Sequence, residues 1–158
     1  MIRHYRHFLG LLLLIAALAL PLLGKPYYVS LAIEVLVFAI FAMSLDLLLG
    51  YTGLPSFGQA AFFGLGAYTA AYLSSTNTMA LGWTSNLFLL LPAVVLVTAV
   101  TALIIGFFAL RTSGIYFLMI TLAFAQMLFS VALRWTAVTG GSDGLAGIPA
   151  PMLAVGPL

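Results

Sequence analysis

Four runs of this sequence, residues 8–23, 29–49, 87–110 and 115–133, contain between them only two charged side chains, Glu34 and Asp46. The three longer runs reach roughly 30 Å as helices at about 1.5 Å per residue, the thickness of a bilayer's hydrocarbon core. Only 5% of the 158 residues are charged and 65% are hydrophobic, whereas a soluble domain carries about a quarter charged residues. Such a composition cannot cover a water-facing surface. The chain therefore reads as an all-α integral membrane protein, a polytopic transmembrane helical bundle of about five spans in which one segment is broken by Gly and Pro.

The chain opens with Arg3, His4, Arg6 and His7, a short basic tail of the kind found at a cytoplasmic end. The run 8–23 that follows could be a secretory signal, with Ala17-Leu18-Ala19 as its small-residue site. Pro21 just beyond that site and the further spans favour an uncleaved first helix. Lys25-Pro26-Tyr27-Tyr28 closes it with a charge, a breaker and two interfacial aromatics. The second span, 29–49, carries Glu34 near its start and Asp46 near its end. An acid at the bilayer centre costs on the order of 3 kcal/mol, so the ends are where acids belong. Asp46 suits two roles, an interfacial acid that caps nearby N–H groups or a polar anchor for the segment that follows. The two acids are twelve residues apart and about 120° apart around an ideal helix, which argues against a proton relay.

Residues 50–73 are the feature around which the other spans are arranged. Gly50-Tyr51-Thr52-Gly53-Leu54-Pro55-Ser56 is too apolar for a water-exposed loop and too rich in Gly and Pro for a good helix. Backbone groups left unpaired there must be buried in protein or face a wet cavity, because lipid cannot hydrogen-bond them. Residues 57–73 then resume as a helix with Ala60, Gly64, Ala67 and Ala71 along one stripe, spaced for close approach of another helix. A broken segment leading into a close-packing helix is how transporters build sites near the membrane midplane. The same residues also suit an ordinary loop before a tightly packed helix.

Residues 74–86 read as an external loop with Trp83 at the interface. Run 87–110 is the longest span, with Pro92 in its first turns, where the lost hydrogen bond matters least. Arg111-Thr112-Ser113-Gly114 is a very short turn, with Thr112 or Ser113 expected to cap the next helix, so that 87–110 and 115–133 pack as an antiparallel hairpin. In 115–133, Tyr116, Met119, Ala123, Gln126 and Ser130 share one face, expected to look into the bundle. Residues 134–158 are rich in Gly, Pro and small polar residues and read as an external connector. The turn 140–144 matches neither a phosphate loop nor a Ca²⁺ loop. With an internal N-terminus, Arg3, Arg6 and Arg111 lie inside against Lys25 and Arg134 outside, a weak bias in the expected sense; a re-entrant 57–73 would reverse everything after it.

The chain has no Cys, hence no thiolate metal site or cysteine nucleophile, and both histidines sit in the tail. No metal, no other cofactor and no intramembrane catalytic group is expected. The five basic residues are scattered, so no nucleic-acid partner is implied.

Three motifs in series point further. Residues 44–53 (SLDLLLGYTG) lead into 56–68 (SFGQAAFFGLGAY). Then come 110–117 (LRTSGIYF) with 121–126 (TLAFAQ), and finally 139–145 (TGGSDGL) with Gly147-Ile148-Pro149. In order and spacing these resemble the permease subunit of branched-chain (hydrophobic) amino acid ATP-binding-cassette importers, and within that family the second of the two paired permeases. The resemblance implies a sister permease, two cytoplasmic ATPase subunits, a periplasmic or lipid-anchored substrate-binding protein and a place in the bacterial inner membrane. The role implied is alternating access with no bond chemistry, ATP being hydrolysed elsewhere. Asp46, Tyr51, Ser56, Phe57, Gly58 and Gln59 would shape the core beside the translocation path. The resemblance adds Gln126, an amide that equally suits hydrogen bonding between helices. Thr139, Gly140, Gly141, Asp143 and Gly144 would belong to an external connector near the binding protein.

The chain departs from the pattern at Gln59, where many relatives carry His, and at Leu54-Pro55, so Pro55 accentuates the break. Members of the family run to roughly twice this length. The chain is accordingly expected to be the N-terminal half of a permease, without the cytoplasmic coupling helix and unable by itself to couple to ATP hydrolysis. Import of urea, short amides or another amino acid, and a non-transporting structural subunit, remain alternatives from sequence.

Overall fold

A computed structural model of the chain describes residues 26–76 and 80–152. The basic tail, the expected span 8–23, residues 77–79 and residues 153–158 of the expected connector lie outside the described residues. Among the described residues the chain is all-helical, with helices α1 (Pro26–Thr52), α2 (Gln59–Ser74), α3 (Leu87–Ala109), α4 (Ile115–Arg134) and a single-turn α5 (Thr136–Thr139). Three of these, α1, α3 and α4, are long and apolar enough to cross a membrane. At 16 residues, α2 is only about 24 Å long.

The chain divides into two compact units, residues 1–47 and 48–158. In the first, residues 26–47 are helical throughout. Pro26 opens α1, where its missing N–H removes no helical bond, and the Tyr27 and Tyr28 rings meet edge to face at 5.7 Å. Ala32 is buried, whereas Ile33, Phe38, Ile40 and Met43 are exposed, the pattern of a helix whose solvent is lipid rather than water. Glu34 and Asp46 are exposed.

The end of α1 corrects one expectation. The helix does not stop at Leu49 but continues through Gly50 and Tyr51 to Thr52. The Thr52 hydroxyl donates to the Leu48 carbonyl at 2.6 Å, and the Gly53 N–H reaches the Leu49 carbonyl at 3.0 Å. Gly53 then takes φ +64, the left-handed residue that closes many helices and that lacks a Cβ to oppose it. The break accordingly covers residues 53–58.

The second unit is built on α2, α3 and α4, with α2 packed against both of the others. Contact between α2 and α3 occurs at Gly66, where an added Cβ would lie 3.4 Å from Val94 Cγ1 and 3.6 Å from Thr98 Cγ2. The expected packing stripe behaves differently. Ala71 is buried, but Ala60 and Ala67 are exposed, and nothing lies within 4 Å of a Cβ at Gly64. Two residues along a helix is a rotation of about 200°, so Gly66 meets α3 directly while Ala60 and Gly64 border an open groove.

The α3–α4 turn is as short as expected but is capped in another way. Gly114 precedes α4 without a side-chain cap, and the Thr112 hydroxyl instead donates to the Ala109 carbonyl at 2.7 Å. Thr112 therefore satisfies the end of α3, whose last carbonyls lack helical partners. The Arg111 guanidinium folds back to 4.4 Å from the Phe107 ring centre.

At the opposite end of this unit, two loops are stitched together. The Ser75 hydroxyl, fully buried, donates to the Ala146 carbonyl at 2.7 Å, and the Thr76 N–H to the Gly147 carbonyl at 3.0 Å. Leu87 N–H donates to Met152 O (3.1 Å) and Met152 N–H to Ser85 O (2.9 Å). Asn86 caps α3 by accepting from the Phe88 N–H at 3.2 Å. Beyond α5, Gly140 is left-handed, and a Cβ there would fall 2.1 Å from the Gly144 carbonyl oxygen.

Denaturant unfolding of the chain in detergent micelles, followed by circular dichroism, is expected to rank three substitutions. Gly140→Ala places a methyl against backbone in a left-handed turn and destabilises by at least about 2 kcal/mol. Asn86→Ala removes a cap and costs about 1 kcal/mol. Gly64→Ala meets open space inside α2 and is expected to stabilise by about 0.5–1 kcal/mol.

Candidate functional site

The break between α1 and α2 interrupts the ladder of helical hydrogen bonds, yet the amides of Gly53, Leu54, Phe57 and Gly58 are partnered. Leu54 N–H donates to the Thr52 hydroxyl oxygen at 3.3 Å. Pro55 has no N–H. Phe57 N–H donates to Thr121 Oγ1 at 3.3 Å and Gly58 N–H to Ser56 Oγ at 3.2 Å. The Gly58 carbonyl accepts from Ala61 N–H at 3.0 Å and opens α2. Three hydroxyls, on Thr52, Ser56 and Thr121, thus replace the carbonyls that a continuous helix would have offered. A buried amide without a partner costs roughly 1–3 kcal/mol in a protein, and lipid offers none.

Thr52 and Ser56 act within two residues of themselves. Thr121 acts across 64 positions of sequence and brings the start of α2 onto the second turn of α4. Gly58 is buried, and an added Cβ would lie 3.5 Å from both the Thr121 Cβ and its carbonyl oxygen. Thr121 itself is 5% exposed. It stands six residues into α4, about 9 Å along the helix, so the break is held near one end of the α2–α4 pair rather than at its middle.

The structure therefore brings Phe57 and Gly58 against Thr121, with Ser56 bonded to Gly58, but does not gather every expected site residue. Gln59 is half-buried in the first turn of α2. Tyr51 is 87% exposed and Phe57 60% exposed. Asp46 lies in the first unit, inside α1 and six residues before its end. Gln126 is exposed, as are Tyr116, Met119, Ala123 and Ser130. Within this unit the buried residues of α4 are Phe117 and Thr121, on a different face from the polar one. Sequence reasoning quoted Thr121 within a motif and assigned it no role; a lone Thr in an apolar helix gives no signal until its partner is known.

Beside the break, α2, α3 and α4 frame an apolar groove of about 620 Å³. Ala60, Gly64, Ala125 and Ala132 give it small-residue walls, and Tyr68, Tyr72, Trp83 and Trp135 also line it. In the connector, the Thr139 hydroxyl lies 2.9 Å from the Trp135 carbonyl and accepts from Gly141 N–H at 3.2 Å. Gly141 is buried, whereas Asp143 is exposed beside the Ser142 hydroxyl. Residues 139–144 thus fold as an ordered turn. Among the described residues, no group of three His, Cys, Asp or Glu side chains is placed to hold a metal ion.

The chain matches the family described as "Branched-chain amino acid transport system / permease component" over residues 27–155. Among curated proteins it is similar to the high-affinity branched-chain amino acid transport system permease protein LivM of Salmonella typhimurium, at 33% identity over 141 residues. It is 32% identical over the same length to the protein of that name from Escherichia coli. Each alignment covers 89% of this chain and 32% of the relative. The chain thus spans about a third of the length of these relatives, less than the half expected from sequence. No solved structure matches it. With a family match over most of its length and a broken, hydroxyl-supported segment between apolar helices, the chain belongs to the permease family of branched-chain amino acid transport systems.

Proposed function

We propose that this chain forms part of the membrane-embedded permease of an ATP-binding-cassette importer that carries leucine, isoleucine and valine across the bacterial inner membrane. The match to the permease family over residues 27–155 carries this reading. The partnered break supports it, since unwound backbone inside a membrane protein is tolerated where it is buried in protein or lines a cavity. The permease performs no bond chemistry. Separate cytoplasmic ATPase subunits supply the energy, a sister permease completes the pathway, and a periplasmic or lipid-anchored binding protein delivers the solute. The N-terminus is cytoplasmic, which places the loops joined through Ser75 and Ala146 outside, beside Thr139, Gly140, Gly141, Asp143 and Gly144.

A branched-chain amino acid has two charged groups that need hydrogen-bonding partners and an aliphatic side chain that does not. Ser56, Phe57, Gly58 and Gln59 offer backbone and amide groups where α2 begins, and the adjoining groove is apolar. In this proposal those four residues and Tyr51 border the path, and Gln126 is assigned to it by family resemblance. Asp46 is assigned to the path by family resemblance alone.

Uptake of radiolabelled leucine by cells that produce a full-length permease containing these residues is expected to require both the ATPases and the binding protein. Unlabelled isoleucine and valine should compete, and urea should not. Uptake by the chain alone, or competition by urea instead, would contradict the proposal. Gly58→Val crowds Thr121 and Ser56 and is expected to lower the uptake rate at least about tenfold, as a misplacement of about 1 Å can, with the amount of folded protein measured alongside.

A further inference from the structure

We infer that Thr121 is the positioning residue of the helix break, a hydroxyl latch that fixes the start of α2 to α4. The inference deepens the transport reading and rests on it for its functional consequence. Its structural part stands independently.

Three observations carry it. First, Thr121 is a buried polar side chain in an apolar helix, at 5% exposure, where a hydroxyl is tolerated only when hydrogen-bonded. Second, that hydroxyl has both a donor and an acceptor role filled. It donates to the Leu118 carbonyl at 3.0 Å and accepts from Phe57 N–H at 3.3 Å. One hydroxyl offers one donor and two lone pairs, so the two bonds coexist, and donation to Leu118 strengthens the oxygen as an acceptor. Third, the other hydroxyls of the break cannot do the same work. Thr52 and Ser56 bond amides two residues away and keep those bonds wherever the segment goes. Thr121 alone, among the described residues, supplies a side-chain hydrogen bond from another helix to an amide of the break.

Gly58 completes the fit. Its bare Cα lets the Thr121 side chain and backbone approach, with a virtual Cβ already in van der Waals contact at 3.5 Å. The start of α2 and the second turn of α4 therefore behave as one body while the latch is closed. Any rearrangement that separates them must give the Phe57 amide another acceptor. On the transport reading, the residues bordering the path are then placed by Thr121, a residue that does not itself contact solute.

The test uses Thr121→Val, which keeps the shape and removes the hydroxyl, and Thr121→Ser, which keeps the hydroxyl and removes the methyl. Thr121→Ala serves in place of the valine variant if that protein fails to accumulate. Amide hydrogen exchange is measured on the full chain in lipid nanodiscs, and leucine uptake kinetics in cells that contain the partner subunits. Removing the hydroxyl should accelerate exchange at Phe57 at least tenfold without changing the cap amides at Thr76 and Met152. It should raise the KM for leucine at least fivefold with folded protein unchanged, while Thr121→Ser stays within twofold in both readouts. Unchanged exchange in the valine or alanine variant overturns the latch, and so does a serine variant as impaired as valine. Accelerated exchange with unaltered KM overturns its functional part. If the exchange contrast holds and the unmodified protein with its partners carries no leucine, the transport reading fails and the latch stands.

Discussion

An unwound turn among lipid-solvated helices persists only when its amides find acceptors inside the protein, and this requirement organises the molecule. Between α1 and α2 the acceptors are hydroxyl oxygens, two local and one, on Thr121, contributed by α4. Because the distant one is buried on the packed side of α4, the break, the register of α2 and the orientation of α4 are settled together. The polar face of α4 with Gln126 is left pointing away from the other helices of its unit as a consequence.

At the other end of the same three helices, the loops obey the same rule by different means. Ser75 and Thr76 are paired with Ala146 and Gly147, and Ser85 and Leu87 with Met152. Backbone pairs with backbone, and the Ser75 and Thr76 hydroxyls reinforce the seam. One end of the unit is thus closed by many short-range and long-range bonds. The other holds its irregular backbone with few. The groove between them has small-residue walls on α2 and α4, which leaves room for close approach by another apolar surface.

Much of this was legible in the residues. The apolar runs located α3 and α4 to within a residue or so because nothing but a short Arg-Thr-Ser-Gly turn separates them. Gly50, Gly53 and Pro55 announced the break. Its start was misplaced because Gly50 looks like a stop, whereas the helix end depends on the Thr52 hydroxyl and the left-handed Gly53 closing the last turn. The stripe of Ala60, Gly64, Ala67 and Ala71 signals close approach of another helix without saying which. Gly66, on nearly the opposite side, makes the contact with α3. The face of α4 packed within this unit was not legible, because its one buried hydroxyl, on Thr121, sits among apolar neighbours. The pairing of Ser75 with Ala146 spans 71 positions and leaves no local trace in either stretch.

The central claim is that residues 53–58 are an interrupted helix whose amides are satisfied inside the protein rather than by lipid. An electron cryo-microscopy structure of the chain in lipid nanodiscs, at a resolution that shows side-chain hydroxyls, tests it most directly. The account predicts a helix that ends at Thr52, a second that begins at Gln59, and Thr121 Oγ1 within hydrogen-bonding distance of the Phe57 amide. A continuous helix through Pro55, or a break whose Phe57 amide faces acyl chains with Thr121 turned elsewhere, would contradict it.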